Sequence, residues 1–253
     1  MKITILFACL ICTSMMCQDL KKKKKSGISY QEIFTVDKDS KERQGYYYKI
    51  NKFSKDTLAK GKFEQGEQVG VWSFMGEKNS LYLKYDYDQN KLLKHNDKTL
   101  GRDSIHVKIG NDFKITIVDN PPIYLGYKNE IKHVIREELK PPTTIFKEAK
   151  SGMVVASFEV NQMGEVENFK IESSSNDKIN EATVNSIENI KYGWIPASIN
   201  GVPVISKMYI IYNFNFISDP NNRPKLNFKD KADLIVVNLT YFGVKRERKV
   251  YSN

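Results

Sequence analysis

WIPASINGVPVISKMYIIYNFNF, residues 194–216, decides how the rest of this chain is read. It opens on a tryptophan, carries Pro196 and Pro203 around an Asn200-Gly201 pair, and then becomes a run of β-formers. Proline fixes φ and removes a donor, and Asn-Gly favours a tight reversal. A tryptophan that buries ~150–250 Å² where a helix meets a sheet fixes the angle at which the chain leaves. The segment therefore reads as a stiff entrance that sets the start and register of a final strand. Along that strand Met208, Ile210, Tyr212, Phe214 and Phe216 alternate with Lys207, Tyr209, Ile211, Asn213 and Asn215, the period of a pleated chain.

Upstream, the same period begins at Gly152, where Val154, Ala156, Phe158 and Val160 share one side. Asn161 to Gly164 is a turn, and Val166 to Ser173 pairs back with Phe169 and Ile171 on its buried face. Helical spacing follows at Ile179, Ala182, Ile187 and Ile190, with Asn176 or Asp177 as N-cap. Earlier still, Tyr127, Ile131, Val134, Ile135 and Leu139 fall on one helical face. Pro121-Pro122 precede that helix and Pro141-Pro142 stop it. The expected order is helix, hairpin, helix, long strand.

This order, with Gly126, Gly152, Gly164, Ser173-Ser174, Ala182, Trp194, Pro196, Asn200-Gly201, Pro203-Val204 and Asn215-Phe216, resembles the TonB C-terminal domain of Gram-negative envelope proteins. The resemblance covers roughly residues 119–217 and implies a three-stranded antiparallel sheet. It implies a non-enzymatic periplasmic protein that pairs its last strand with an extended segment of an outer-membrane TonB-dependent transporter, or of another envelope protein. The pairing residues it implies are Lys207, Met208, Tyr209, Ile210, Ile211, Tyr212 and Asn213, with Trp194, Pro196, Gly201, Pro203, Gly152 and Gly164 as structural anchors. An edge strand offers unpaired N–H and C=O groups to another chain, and such β-augmentation draws affinity from the main chain and selectivity from alternate side chains. One departure stands out: Pro141 occupies the place where the family has a tyrosine, so a surface that uses that tyrosine is altered here.

The N-terminal half reads differently. Gly45 to Leu93 alternates aromatic and polar residues and is punctuated by Gly61, Gly66, Gly70 and Gly76. GKFEQGEQVGVWSF, residues 61–74, resembles one MORN-type repeat, in which glycines allow hairpin turns and aromatics stack in a row. An ordinary antiparallel sheet with Trp72 and Phe74 in its core fits the same residues. Residues 103–118 read as a further hairpin turning at Gly110-Asn111-Asp112, and the domain boundary is placed near 119. The expected fold class is α+β: a MORN-like β-rich region at 18–118, the TonB C-terminal-like module at 119–217, and an extension at 218–253. Within that extension Leu234 to Phe242 is an amphipathic strand that competes for the proposed binding edge.

Residues 1–17 read as a signal peptide, with Lys2 ahead of an apolar run from Ile3 to Met16. At ~1.5 Å per residue that run falls short of a ~30 Å bilayer core, which favours cleavage over anchoring; lipidation at Cys17 is the alternative. Cys9, Cys12 and Cys17 all lie in this stretch, so the exported chain holds no disulfide or thiolate metal site. The net charge of +10 sits outside residues 121–216, which are nearly neutral. Much of it lies at Lys21 to Lys25 and Lys245 to Lys249, read as solvated tails with at most weak attraction to anionic headgroups. No nucleic-acid motif accompanies it. His95, His106 and His133 are isolated, Glu137-Glu138 point apart on a helix, and no P-loop, G-x-S-x-G, G-x-G-x-x-G or H-E-x-x-H is present. No enzyme and no cofactor is expected. Two rivals to the transporter-binding reading remain: an envelope scaffold that keeps the fold without energy coupling, and an anchored energy transducer. The sequence sets no oligomeric state.

Overall fold

The computed structural model describes residues 19–96, 104–141, 151–217 and 231–242. The expected signal segment with its cysteines, Pro142, and the basic run at 245–249 lie outside the described residues.

Seven strands form the first sheet in simple sequence order: β1 (Leu20–Ser26), β2 (Tyr30–Asp37), β3 (Arg43–Asn51), β4 (Thr57–Glu64), β5 (Glu67–Met75), β6 (Leu81–Asp86) and β7 (Lys91–His95). All neighbours are antiparallel. Two-residue periodicity sends Tyr47, Phe63, Trp72, Phe74, Leu83 and Tyr85 to one buried face. The β4–β5 reversal falls at Gln65-Gly66, both at positive φ, where glycine carries no Cβ penalty. Gly61 is required for another reason: a Cβ there would enter the Trp72 ring. The lysine run expected on a solvated tail is instead β1, an edge strand paired with β2 from Leu20 to Ser26. Its side chains are exposed, and charged lysines are a device that keeps an edge from recruiting another chain.

The second sheet draws on strands far apart in sequence. It comprises β8 (Ser104–Ile109), β9 (Asp112–Ile117), β11 (Gly152–Val160), β12 (Val166–Ser174), β16 (Ser206–Ile217) and β17 (Leu234–Phe242). Their order is β12-β11-β16-β8-β9, with β17 lying parallel to β16. The short strands β10 (Ile123–Tyr124) and β13 (Trp194–Ile195) pair with each other, as do β14 (Ala197–Ile199) and β15 (Val202–Val204). Helix α1 (Glu130–Glu138) and helix α2 (Asn180–Ile187) cover one face. Short 3₁₀ turns, Asp177–Ile179 and Glu188–Ile190, flank α2, and the Asn176 side chain caps the first by accepting from the Lys178 N–H. The core between them joins Ile131, Ile135, Ile179, Ile187 and Ile190 to Val154, Ala156, Phe158, Ile210, Tyr212 and Phe214.

These strands overturn the expected α+β class. The described residues are mostly β, 59% strand against 13% helix, with two α-helices among them. The expected three-stranded antiparallel sheet is a six-stranded mixed one. The physical reason is recruitment: the β8–β9 hairpin joins β16 through Ser206–Val107 and Lys207–His106, and β17 adds itself on the same side. Periodicity within a segment reveals which face is buried, not which distant strand supplies the neighbour.

Helix α1 holds the two sheets together. Ile131, Ile135 and Leu139 face the second core, whereas Tyr127, placed on that same face by spacing, precedes the helix and packs into the first core. From the other side of α1, Glu130 receives the Lys49 ammonium at 2.6 Å, and Glu137 accepts from the Ser29 hydroxyl at 3.1 Å.

Candidate partner-binding strand

The entrance to β16 is built as its sequence suggests. Asn200 and Gly201 sit at φ 51° and 76° and close the β14–β15 hairpin, whose turn the Asp119 carboxylate steadies by accepting the Gly201 N–H. Pro196 links β13 to β14, and the Pro203 carbonyl, within β15, accepts from Gln162 at 3.1 Å. Trp194 is 6% exposed, with its ring centroid 5.4 Å from Tyr124 and 5.6 Å from Phe158. Its indole N–H donates to the Ile190 carbonyl at 2.8 Å, tying the hinge to the end of the second helix. Gly164 comes so close to the Trp194 backbone carbonyl that no side chain fits there, and its φ of 78° adds a second reason for glycine. Gly152 opens β11 where a Cβ would strike the Ser175 hydroxyl.

The strand this hinge delivers is not at a rim. On one side β11 pairs with β16 from Gly152–Phe214 to Val160–Ser206. On the other, β8 takes Ser206 and Lys207, and β17 takes Tyr209 to Ile217 in parallel register. Each proposed pairing residue is thereby accounted for. Lys207 lies beside Glu172, at 4.0 Å, and over the Phe113 ring. Met208, Ile210 and Tyr212 point into the core, with the Tyr212 hydroxyl 3.1 Å from the Ser186 hydroxyl and its ionisation pushed up by burial. Tyr209, Ile211 and Asn213 face the other way. Tyr209 stacks edge-on against His106, and its N–H donates to the Asp233 carbonyl at 2.7 Å.

Three contacts fix β17 in place. His106 Nδ1 meets the Asp233 carboxylate at 2.9 Å just before the strand begins. Asn213 donates to the Asn238 side-chain oxygen at 3.0 Å, a polar pair between adjacent strands that pins their register. Ile235, Val237 and Leu239 enter the same core as α1 and β16. The sequence pattern of Leu234 to Phe242 signals a strand, but nothing in it specifies a parallel neighbour.

Among the described residues the three histidines each sit in a separate setting. His106 faces Asp233, His133 Nδ1 lies 2.8 Å from the Tyr127 hydroxyl, and His95 packs edge-on against Tyr82. Among the described residues no group of three or more His, Cys, Asp or Glu side chains is placed to hold a metal ion, and no helix is long and apolar enough to cross a membrane. Glu172 illustrates the polar chemistry present: a hydrogen bond from Ser157, then one from Lys170, hold its carboxyl below the usual range.

Comparison with known proteins adds one match. No curated protein and no solved structure matches the chain. Residues 142–216, less than a third of its length, match the family model described as Gram-negative bacterial TonB protein C-terminal. The segment that carries the hinge, β11, β12, α2 and nearly all of β16 is thus similar to a TonB C-terminal domain.

Proposed function

We propose that this protein is a non-enzymatic periplasmic binding module that engages an extended segment of an outer-membrane transporter, or of another envelope protein, by strand pairing at Lys207–Asn213. The observation that carries the reading is β17 itself. Most of the rim of β16 accepts a parallel strand in continuous register, from Tyr209–Leu234 to Ile217–Phe242. A foreign strand would use the same backbone groups, so β17 is a resident occupant that must leave first. Main-chain hydrogen bonding supplies the affinity in such pairing, and the resident strand lowers the apparent affinity by the fraction of molecules in which it stays bound.

The test measures binding of transporter plug-region peptides to the full chain, to a chain ending at residue 217, and to full-length Asp233→Ala. Removing or loosening β17 is expected to tighten binding by at least roughly tenfold, about 1.4 kcal/mol. No binding by any of the three at millimolar peptide removes the transport reading, and Asp233→Ala answers the question even where the truncated chain fails to fold.

A second reading, an envelope scaffold without energy coupling, draws on the depth of β17. Val237 is fully buried and Ile235 and Leu239 nearly so, which suits a permanent strand. Under this reading, deleting the gene leaves siderophore and vitamin uptake intact; impaired uptake rules it out.

A further inference from the structure

The second sheet ends at β9, and its free rim is unlike those of edge strands β1, β7 and β12. Edge strand β1 is lined with lysines, and edge strand β7 carries Lys91 and Lys94. Edge strand β12 is broken by two register shifts, holds Asn168 at φ 51°, and displays Glu167, Lys170 and Glu172. Such charges and irregularities discourage further pairing. Strand β9, DFKITI, has no proline, no register shift and an unbroken pairing with β8 from Ile109–Asp112 to Ser104–Ile117. On its open side Ile115 is 68% exposed and Ile117 60% exposed.

The backbone of β9 is oriented for pairing. Lys108 donates its N–H to the Ile205 carbonyl at 2.9 Å, away from β9. The Lys108–Phe113 pair is therefore a non-hydrogen-bonded one, and the alternation of an antiparallel ladder turns the N–H and C=O groups of Phe113, Ile115 and Ile117 outward. The same three residues place their side chains on one face, opposite the helices, together with His106. Among the described residues no strand pairs with this rim.

We propose that the rim of β9 is a homodimerisation edge, occupied by β9 of a second copy of this chain running antiparallel about Ile115. The sequence is self-complementary in that register. Ile115 meets Ile115 of the second copy, and Phe113 meets its Ile117, so apolar residues of both copies form one continuous strip. Lys114 meets Thr116, which avoids placing like charges directly opposite. The flanking cations do not oppose the approach either, since Lys108 and Lys207 lie beside Glu159 and Glu172. All three outward-facing residues fall in hydrogen-bonded pairs, giving about six new main-chain bonds. A two-fold arrangement closes on itself and leaves no further copy to add. The contact is smaller than the ~1,000 Å² of a standard interface, so the dimer is weak and fills only as concentration rises.

The proposal stands apart from the transporter reading, because it uses neither β16 nor β17. It is tested on the full chain with Cys9, Cys12 and Cys17 changed to serine. In a hydrogen-bonded pair the Cα atoms lie ~5.5 Å apart, within the ~4.4–6.8 Å that a disulfide spans. Ile115→Cys is therefore expected to form a covalent dimer on mild oxidation, and Ile28→Cys, equally exposed at a distant turn, is not. In sedimentation runs up to ~1 mM, Ile115→Lys is expected to weaken association at least tenfold, or about 1.4 kcal/mol. Equal crosslinking at both positions, a monomer throughout the concentration range, or a dimer that survives Ile115→Lys each overturns the proposal.

Discussion

Each of the two large cores buries one tryptophan, and each indole N–H donates to a backbone carbonyl, Trp72 to Lys62 at 3.1 Å and Trp194 to Ile190 at 2.8 Å. The glycine beside each differs. Gly61 lies against the Trp72 ring, which is edge-on to Phe63 at 5.1 Å and tilted against Tyr47 at 5.3 Å, whereas Gly164 lies against the Trp194 peptide carbonyl. The strand pairings around them differ too. Every pairing in the first sheet joins consecutive strands, whereas β16 gathers β8, β11 and β17 from across the chain. Local pairing closes small loops and forms early; non-local pairing waits for the chain to return. The strand proposed to meet a partner is thus one that draws a neighbour from about a hundred residues away.

The largest expected effects test whether the two anchors are energetically alike. Trp72→Ala and Trp194→Ala should each cost ~3–5 kcal/mol in urea unfolding. The contrast sharpens at the glycines beneath them. Gly61→Ala and Gly164→Ala should each cost ~1–3 kcal/mol by overpacking, with Gly164 at the upper end because a left-handed φ adds its own penalty. A smaller residue at position 72 should relieve Gly61→Ala, since that clash is with a side chain. No change at position 194 should relieve Gly164→Ala, since that clash is with the peptide carbonyl. Equal relief in both double-mutant cycles would break the distinction.

Much of the second module was readable because its signals are local. Val154, Ala156, Phe158 and Val160 alternate and are all fully buried, Asn200-Gly201 makes its turn, and Ile179, Ala182, Ile187 and Ile190 line the helix-side core. What escaped is relational. Lys21 to Lys25 carry no apolar alternation, yet β2 gives them a partner and they form an edge strand. Tyr127 fits a helical face by spacing, but the helix starts after it at Glu130 and the side chain turns to the other core. The hairpin at 104–117 has its turn written in Gly110-Asn111, while its place beside β16 depends on residues about a hundred positions later. The hinge at Trp194 was visible as a rigid entrance and Leu234 to Phe242 as a strand able to cover β16, but its parallel register was not, because a parallel neighbour leaves no mark on the strand that receives it.

A smaller effect should appear where α1 couples the sheets. Lys49 and Glu130 are nearly buried, with 11% and 14% of their side chains exposed, and Glu130 also accepts the Tyr127 N–H at 3.0 Å. Glu130→Ala strands a cation between the Tyr30 and Tyr127 rings and should cost ~2–3 kcal/mol. Lys49→Met in the same chain should recover part of that loss, since the removal of both charges leaves none unpaired. If the two substitutions simply add, α1 does not join the sheets through this pair.

The smallest effect is a pH dependence at the same junction. Burial, and then the nearby Arg136 guanidinium, hold His133 below the ordinary histidine range, with the Lys49 ammonium acting the same way and Glu137 opposing. The folded state therefore binds this proton less readily than the unfolded chain does. Below an unfolded pKa of about 6.5 the unfolded chain takes up more protons, so stability falls with falling pH, until the folded state is protonated too. At neutral pH the imidazole is mostly uncharged in both states, so this penalty is small. His133→Gln keeps a polar partner for the Tyr127 hydroxyl, which lies 2.8 Å from Nδ1, but cannot take up a proton. Its unfolding free energy should consequently decline less between pH 7 and pH 5 than that of the unaltered protein, by ~1 kcal/mol or less. Identical pH profiles for the two proteins would mean that the helix carries its histidine in a setting no drier than the solvent around the unfolded chain.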